Sequence, residues 1–201
     1  MIPAVLASAS PRRRALLEAL GIEVDVQPSA IDETLDGAPA EVALNNALAK
    51  RDDIARKLNG PAIVIAADTI VVLQNEIMGK PSDLNEARRM LARLSGDTHE
   101  VLTGVAVANT QSGQQADGLE TTSVTFRALS PEDIDRFVET VRPLDRAGAY
   151  TVDGPGTLLV TRYEGCYQNV LGLPIVLLDS LLRQVGDGLS ARVRGDKTRF
   201  L

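Results

Sequence analysis

The run AIVIAADTIVVL, residues 62–73, decides how the rest of the chain is read. Ten of its twelve residues are apolar, β-branched types dominate, and the length suits a strand covered on both faces. Asp68 and Thr69 interrupt it. A carboxylate inside a buried strand costs several kcal/mol unless it meets a cation, a metal or hydrogen-bond donors. Asp68 is therefore read in one of three ways: an oxygen ligand for Mg2+ or Mn2+, a general base that activates water for attack on phosphorus, or a residue at a bulge or strand end facing solvent.

Outward from this run, short β-branched segments alternate with helical patterns. PAVLAS and EVDVQ read as strands, with a helix between them from 11 to about 20. A long helical pattern runs from about 40 to 58, and another from about 84 to 94. HEVLTGVAVAN pairs with a strand ending in TTSVTF. Beyond it come a helix opened by Ser130, Pro131, Glu132 and Asp133, a strand GTLLVTRY, and a closing helix from about 174 to 185. This interleaving predicts an α/β layer architecture. QSGQQADG reads as a hairpin connection, which makes the sheet mixed. The organisation is a single domain over 1–185, followed by a polar, loosely held tail over 186–201.

The bulk numbers narrow the chemistry. A chain of 201 residues, 44% hydrophobic, buries a full core without a staple. A net charge of −6 and an aromatic content of 3% argue against nucleic acid and against anionic membranes, so any anion site must be local. One cysteine, Cys166, excludes an intrachain disulfide and fits a reducing, cytoplasmic setting. His99, the single histidine, excludes a multi-histidine metal centre and is read as a packing residue. No stretch approaches the ~20 apolar residues of a membrane span, and MIPAVLASAS lacks the basic leader of a signal peptide.

SASPRRRALLEALG, residues 8–21, begins a helix with Ser10 as N-cap and Pro11 at its first position. Three arginines then occupy a first turn whose partial positive charge favours acids. Leu16, Leu17 and Leu20 form the inward stripe, and at 100° per residue Arg13 projects from the same face. With Ser8, Ser10 and the helix N–H groups it makes a phosphate site; pairing of Arg13 with a local carboxylate is the alternative. Arg14 is read as solvated. GKPSD sets Lys80 in a turn that the pairing of IVVL through QNE brings toward Asp68. Glu33, in IDE, is a further candidate ligand for metal or water.

Together, SASPRRRALLEALG, IDE, AADTIVV, GKPSD, ARRMLARLSGDTHEVLTGVAV, PLDRAGAY and VLGLP resemble the Maf family of nucleoside triphosphate pyrophosphatases, from residue 6 to about 182. The resemblance implies a two-lobed α/β fold around an extended mixed sheet, with the active site in the cleft. It implies cleavage of a nucleoside triphosphate between the α and β phosphates with a divalent cation, Mg2+ or Mn2+, held by Asp68 and Glu33. Carried over by motif, Asp68 is the catalytic proton acceptor. Ser8, Arg13, Glu33 and Lys80 bind phosphate or support the metal, and Arg12 and Thr69 tune the base, as in the branch preferring dTTP and UTP.

Two positions depart from the family pattern. Asp52 stands where the second helix carries lysine, with Lys50 half a turn earlier, and Asp153 replaces a glutamine in Tyr150-Thr151-Val152-Asp153-Gly154. An acidic residue near Asp153 belongs to the 7-methyl-GTP branch. The expected activity is a pyrophosphatase with a dTTP/UTP-leaning or broadened preference, in a monomer or a homodimer. The alternatives are a 7-methyl-GTP-type pyrophosphatase and a nucleotide-binding module with impaired turnover.

Overall fold

A computed structural model describes residues 1–194. Strand β1 (Ala4–Leu6) leads into helix α1 (Pro11–Ala19), then β2 (Asp25–Val26) and the long helix α2 (Pro39–Lys57). Strand β3 (Ile63–Leu73) turns through Gln74 and Asn75, both at positive φ, into β4 (Glu76–Met78). Helix α3 (Leu84–Leu94) precedes β5 (Thr98–Asn109) and β6 (Gln115–Phe126), and α4 (Pro131–Val141) follows. Strand β7 (Val160–Glu164) and helices α5 (Tyr167–Val170), α6 (Ile175–Gln184) and α7 (Leu189–Arg192) complete the described chain.

The seven strands form one mixed sheet in the order β2-β1-β3-β5-β6-β7, with β4 beside β3. β1 runs parallel to β2 and β3, and the remaining pairs are antiparallel. Helix α2 covers one face, where Val64, Ala66, Ile70 and Val72 pack with its Val42, Ala43 and Ile54. The other face carries two separate hydrophobic cores. One joins Leu17 of α1 and Leu178, Leu181 and Leu182 of α6 to Ile63, Ile65 and Val105. The second joins α3 and α4 to Val71, Val101, Val124 and Phe126. Two lobes thus share one sheet.

Three segments differ from the sequence reading. GTLLVTRY is strand only from Val160; its first half forms a 3-10 turn over Gly154–Leu159. Gly156 lies so close to the Thr151 carbonyl that a Cβ there would stand 1.7 Å from the oxygen, a packing that apolar periodicity does not report. The hairpin connection is shorter than QSGQQADG, because β6 begins at Gln115. The tail packs as far as Arg192: Leu189 enters the α6 core, and Arg192 pairs with Asp187 and donates to the Ile2 carbonyl. Residues 195–201 of the expected tail lie outside the described residues.

Candidate active site

A gap in one sheet edge creates the site. β1 pairs with β3 only through Ile65, and β4 pairs with it from Val71, so residues 66–70 of β3 have no neighbour on that side. A cavity of about 320 Å³ opens there. Successive strand residues point to opposite faces, so Asp68 faces α2 while Thr69 faces α1, and both line the cavity. The β3–β5 register continues unbroken through Asp68 and Gly104, which rules out a bulge or a solvent-facing strand end.

Asp68 is 5% exposed, and its oxygens have found donors. Lys50 Nζ donates to Oδ1 at 2.6 Å and Asn46 Nδ2 to Oδ2 at 3.0 Å. Asn46 and Lys50, four residues apart on α2, reach the sheet together because Gly104 sits beneath the helix: a Cβ there would lie 2.3 Å from the Ala43 carbonyl oxygen. Asn46 also grips the chain that carries Glu33. Its Nδ2 donates to the Thr34 carbonyl at 2.9 Å, and its Oδ1 accepts from the Thr34 N–H at 3.1 Å. Glu33 Oε1 then meets Lys50 Nζ at 2.6 Å, and Oε2 lies 3.6 Å from Lys80 Nζ. Burial works to raise the Glu33 carboxyl pKa, but the Lys50 hydrogen bond and the charges of Lys50, Lys80 and Arg13 outweigh it and hold the group below its usual value.

The lysine of this centre is Lys50. Position 52, the expected lysine position, lies elsewhere on α2: Asp52 pairs with its neighbour Arg51 and does not line the cavity. The acidic residue there therefore places no negative charge in the site.

Arg13 points inward, as its helical phase predicts, and is buried. Its hydrogen-bond partners among the described residues are a backbone carbonyl and two hydroxyls. Nε donates to the Gly172 carbonyl at 2.8 Å, Nη1 to Ser8 Oγ at 2.8 Å and Nη2 to Thr69 Oγ1 at 3.0 Å. Burial lowers the guanidinium pKa, against the opposing charges of Asp68 and Glu33. Arg12 leans the other way, 3.8 Å from Asp145, and Arg14 pairs with Glu18 on the exposed face. Ser10 takes the N-cap position, but its hydroxyl bonds no helix N–H. Asp153 lies outside the cavity lining and accepts from the hydroxyl of Thr151, which does line it.

Sequence reasoning did not single out Asn46, Thr103 or Arg146. Arg146 lines the cavity beside Arg12; its Nε lies 3.4 Å from Asp145 Oδ1, and its buried Nε and Nη1 make no hydrogen bond among the described residues. With Arg12, Arg13, Lys50 and Lys80 it makes five cationic side chains against the three carboxylates Glu33, Asp68 and Asp145. An acidic protein thus presents a net positive cavity, suited to a multiply charged anion.

Glu33 and Asp68 are hard oxygen donors of the kind Mg2+ or Mn2+ takes, and both already meet the Lys50 ammonium at 2.6 Å. Among the described residues no group of three His, Cys, Asp or Glu could hold a metal alone. The donor set therefore fits an ion bound by one or two carboxylates together with substrate phosphates and water. No helix among the described residues is long and apolar enough to cross a membrane.

Comparison with known proteins identifies the family. The dTTP/UTP pyrophosphatase of Moorella thermoacetica is 48% identical over 191 residues, covering 94% of this chain and 98% of that protein. That of Alkaliphilus oremlandii is 47% identical over 182 residues, covering 89% and 94%. The family model for Maf-like protein matches residues 3–185, and the chain belongs to the Maf family.

Proposed function

We propose that this protein is a nucleoside triphosphate pyrophosphatase, with a preference leaning to dTTP and UTP. The observation that carries the reading is Asp68: a carboxylate in mid-strand, oriented by Lys50 and Asn46, at the floor of a net positive cavity. The preference rests on the names of the relatives and on Arg12 and Thr69, both of which line the cavity. With Asp52 away from the site, nothing in the charge of α2 argues for impaired turnover.

In the reaction, water attacks the α phosphorus, the bond to the α–β bridging oxygen breaks, and pyrophosphate leaves with that oxygen. Asp68 accepts the proton of the attacking water while Lys50 and Asn46 keep its carboxylate in one orientation. Arg12, Lys80 and Arg146 offset the triphosphate charge, and the Ser8 hydroxyl binds a phosphate oxygen. Glu33 and Asp68 would hold a divalent cation, Mg2+ or Mn2+, which when bound neutralises charge developing on the phosphate oxygens.

Assay of pyrophosphate release across dTTP, UTP, CTP, dATP, dGTP and 7-methyl-GTP tests the proposal. Wild-type protein with Mg2+ or Mn2+ releases pyrophosphate, fastest from dTTP or UTP. Asp68→Asn loses turnover by about 10²–10⁴-fold and still binds nucleotide. Selective cleavage of 7-methyl-GTP overturns the base preference, and nucleotide binding without pyrophosphate release overturns the enzyme.

A further inference from the structure

Thr103 is fully buried on β5, opposite Thr69, and is not itself part of the cavity lining. It belongs to a polar seam that divides the two hydrophobic cores. Thr69 Oγ1 and Thr103 Oγ1 are 2.9 Å apart, and Thr103 Oγ1 lies 3.2 Å from the carbonyl oxygen of Asn169. Asn169, also fully buried, is fixed in turn, its Nδ2 donating to the Val101 carbonyl and to Thr122 Oγ1.

A hydroxyl has one proton and two lone pairs, so the order of donation along this seam can be worked out. Thr69 Oγ1 accepts from Arg13 Nη2. If Thr103 donates to Asn169, Thr69 donates to Thr103, and both protons sit in bonds of 2.9 and 3.2 Å. The reverse order gives up the bond to Asn169. Among the described residues it leaves the Thr69 proton only the Gly172 carbonyl at 3.5 Å, which already accepts Arg13 Nε at 2.8 Å. The first order makes the better bonds. In that order Thr69 has no proton left for a ligand and can offer only its remaining lone pair.

Ser8, on the other side of the same guanidinium, is the opposite case. Its Oγ accepts from Arg13 Nη1 at 2.8 Å and from the Ser10 N–H at 3.3 Å, so both lone pairs are engaged and its proton has no acceptor among the described residues. Phosphate oxygens only accept hydrogen bonds. They suit Ser8 and are disfavoured at Thr69.

We propose that Thr103 is a positioning residue that sets the hydrogen-bond polarity of the cavity, holding Thr69 as an acceptor. The site then takes a nucleotide with phosphate at Ser8 and a donor, the base N3–H or the ribose 2′-hydroxyl, at Thr69. The inference rests on the nucleotide reading above and adds to it the residue that fixes Thr69 as an acceptor.

Two measurements test it. Neutron diffraction from deuterium-exchanged crystals of the free protein places the Thr69 deuteron toward Thr103 and the Thr103 deuteron toward Asn169; a Thr103 deuteron directed at Thr69 overturns the relay. Calorimetry with UMP, CMP and dUMP reads the consequence in wild type, Thr103→Val and Thr103→Ser. CMP replaces the N3–H donor of UMP by a bare nitrogen, and dUMP lacks the sugar 2′-hydroxyl. Wild type disfavours one of these analogues by about five-fold, the worth of one net hydrogen bond. Thr103→Val brings the ratio to within two-fold and Thr103→Ser restores it. Which analogue responds identifies base or sugar as the donor. Equal weakening of all three nucleotides by Thr103→Val, or no discrimination in wild type, overturns the proposal. Failure of wild type to bind any of them removes the nucleotide reading and the selectivity with it, while the neutron result still judges the relay alone.

Discussion

The Lys50 ammonium stands 2.6 Å from Asp68 Oδ1 and 2.6 Å from Glu33 Oε1, one largely buried cation shared by two carboxylates. Removing it leaves Asp68 buried with Asn46 as its remaining side-chain donor, and breaking such a pair from one side costs about 3–5 kcal/mol. Lys50→Met therefore lowers the urea midpoint sharply and abolishes turnover. Combining it with Asp68→Asn removes the stranded charge as well. The double variant is expected to be more stable than Lys50→Met alone, a coupling that a double-mutant cycle measures. Strict additivity of the two losses would show that the pair does not act as a unit.

Gly104 sets how closely α2 approaches the sheet. A Cβ 2.3 Å from the Ala43 carbonyl oxygen cannot be accommodated by a side-chain rotation, because the obstacle is backbone. Gly104→Ala must lift the helix and carry Asn46 and Lys50 away from Asp68. The expected loss is about 1–3 kcal/mol, as for overpacking of a close-packed interior, with a fall in pyrophosphate release beyond what partial unfolding explains. Gly60→Ala, where an added Cβ meets nothing within 4 Å, serves as the neutral comparison. Equal midpoints for the two variants would refute the account.

What could be read from sequence follows the range over which each signal acts. The inward direction of Arg13 follows from helical phase against Leu16, Leu17 and Leu20, and the structure agrees because nothing outside α1 is needed to define it. The peculiarity of Asp68 is visible in its own strand. Its partners are not, because they depend on which turn of α2 crosses β3 and β5, a register set by Gly104 some sixty residues away in the chain. The family pattern alone points to position 52. The spacing of Asn46 and Lys50, four apart on one helix face, is the signal that identifies the true partners once Asp68 is known to lie beneath that face. Thr103 and Asn169 carry no comparable local mark, since their roles arise only where β5 and α5 meet.

Asn46 links the two carboxylates, donating to Asp68 while holding Thr34 at both backbone groups. Truncation to alanine frees the segment carrying Glu33 and one oxygen of Asp68. Each hydrogen bond lost leaves a cost of about 1–3 kcal/mol, so kcat is expected to fall at least ten-fold, since about 1.4 kcal/mol of barrier is a factor of ten. Asn46→Asp is the more damaging change, because it sets a third carboxylate beside Asp68 and Glu33. The predicted order of turnover is wild type, then Asn46→Ala, then Asn46→Asp. Steady-state kinetics that rank the aspartate variant above alanine would show that the amide acts by shape and not by charge.

His99 gives the fold a pH dependence that can be isolated. The ring is 1% exposed, with Nε2 2.7 Å from the Tyr150 hydroxyl and edge contacts to Phe126 and Tyr150. Burial, partly opposed by the charge of Asp97, lowers its pKa from 6.5 to about 4. Between these values the unfolded chain holds the extra proton, so stability falls as pH drops from about 6.5 toward 4. The stabilisation is fully present above 6.5 and fully lost below 4, roughly 3 kcal/mol at about 1.4 kcal/mol per unit. It is the only histidine in the chain, and carboxylates held low, such as Asp133 at about 2, act further down the scale. Urea midpoints measured from pH 7 to 5 should therefore decline in wild type. In His99→Leu, whatever its absolute stability, they should stay nearly flat over that range. An undiminished slope in the leucine variant would assign the acid sensitivity to another group.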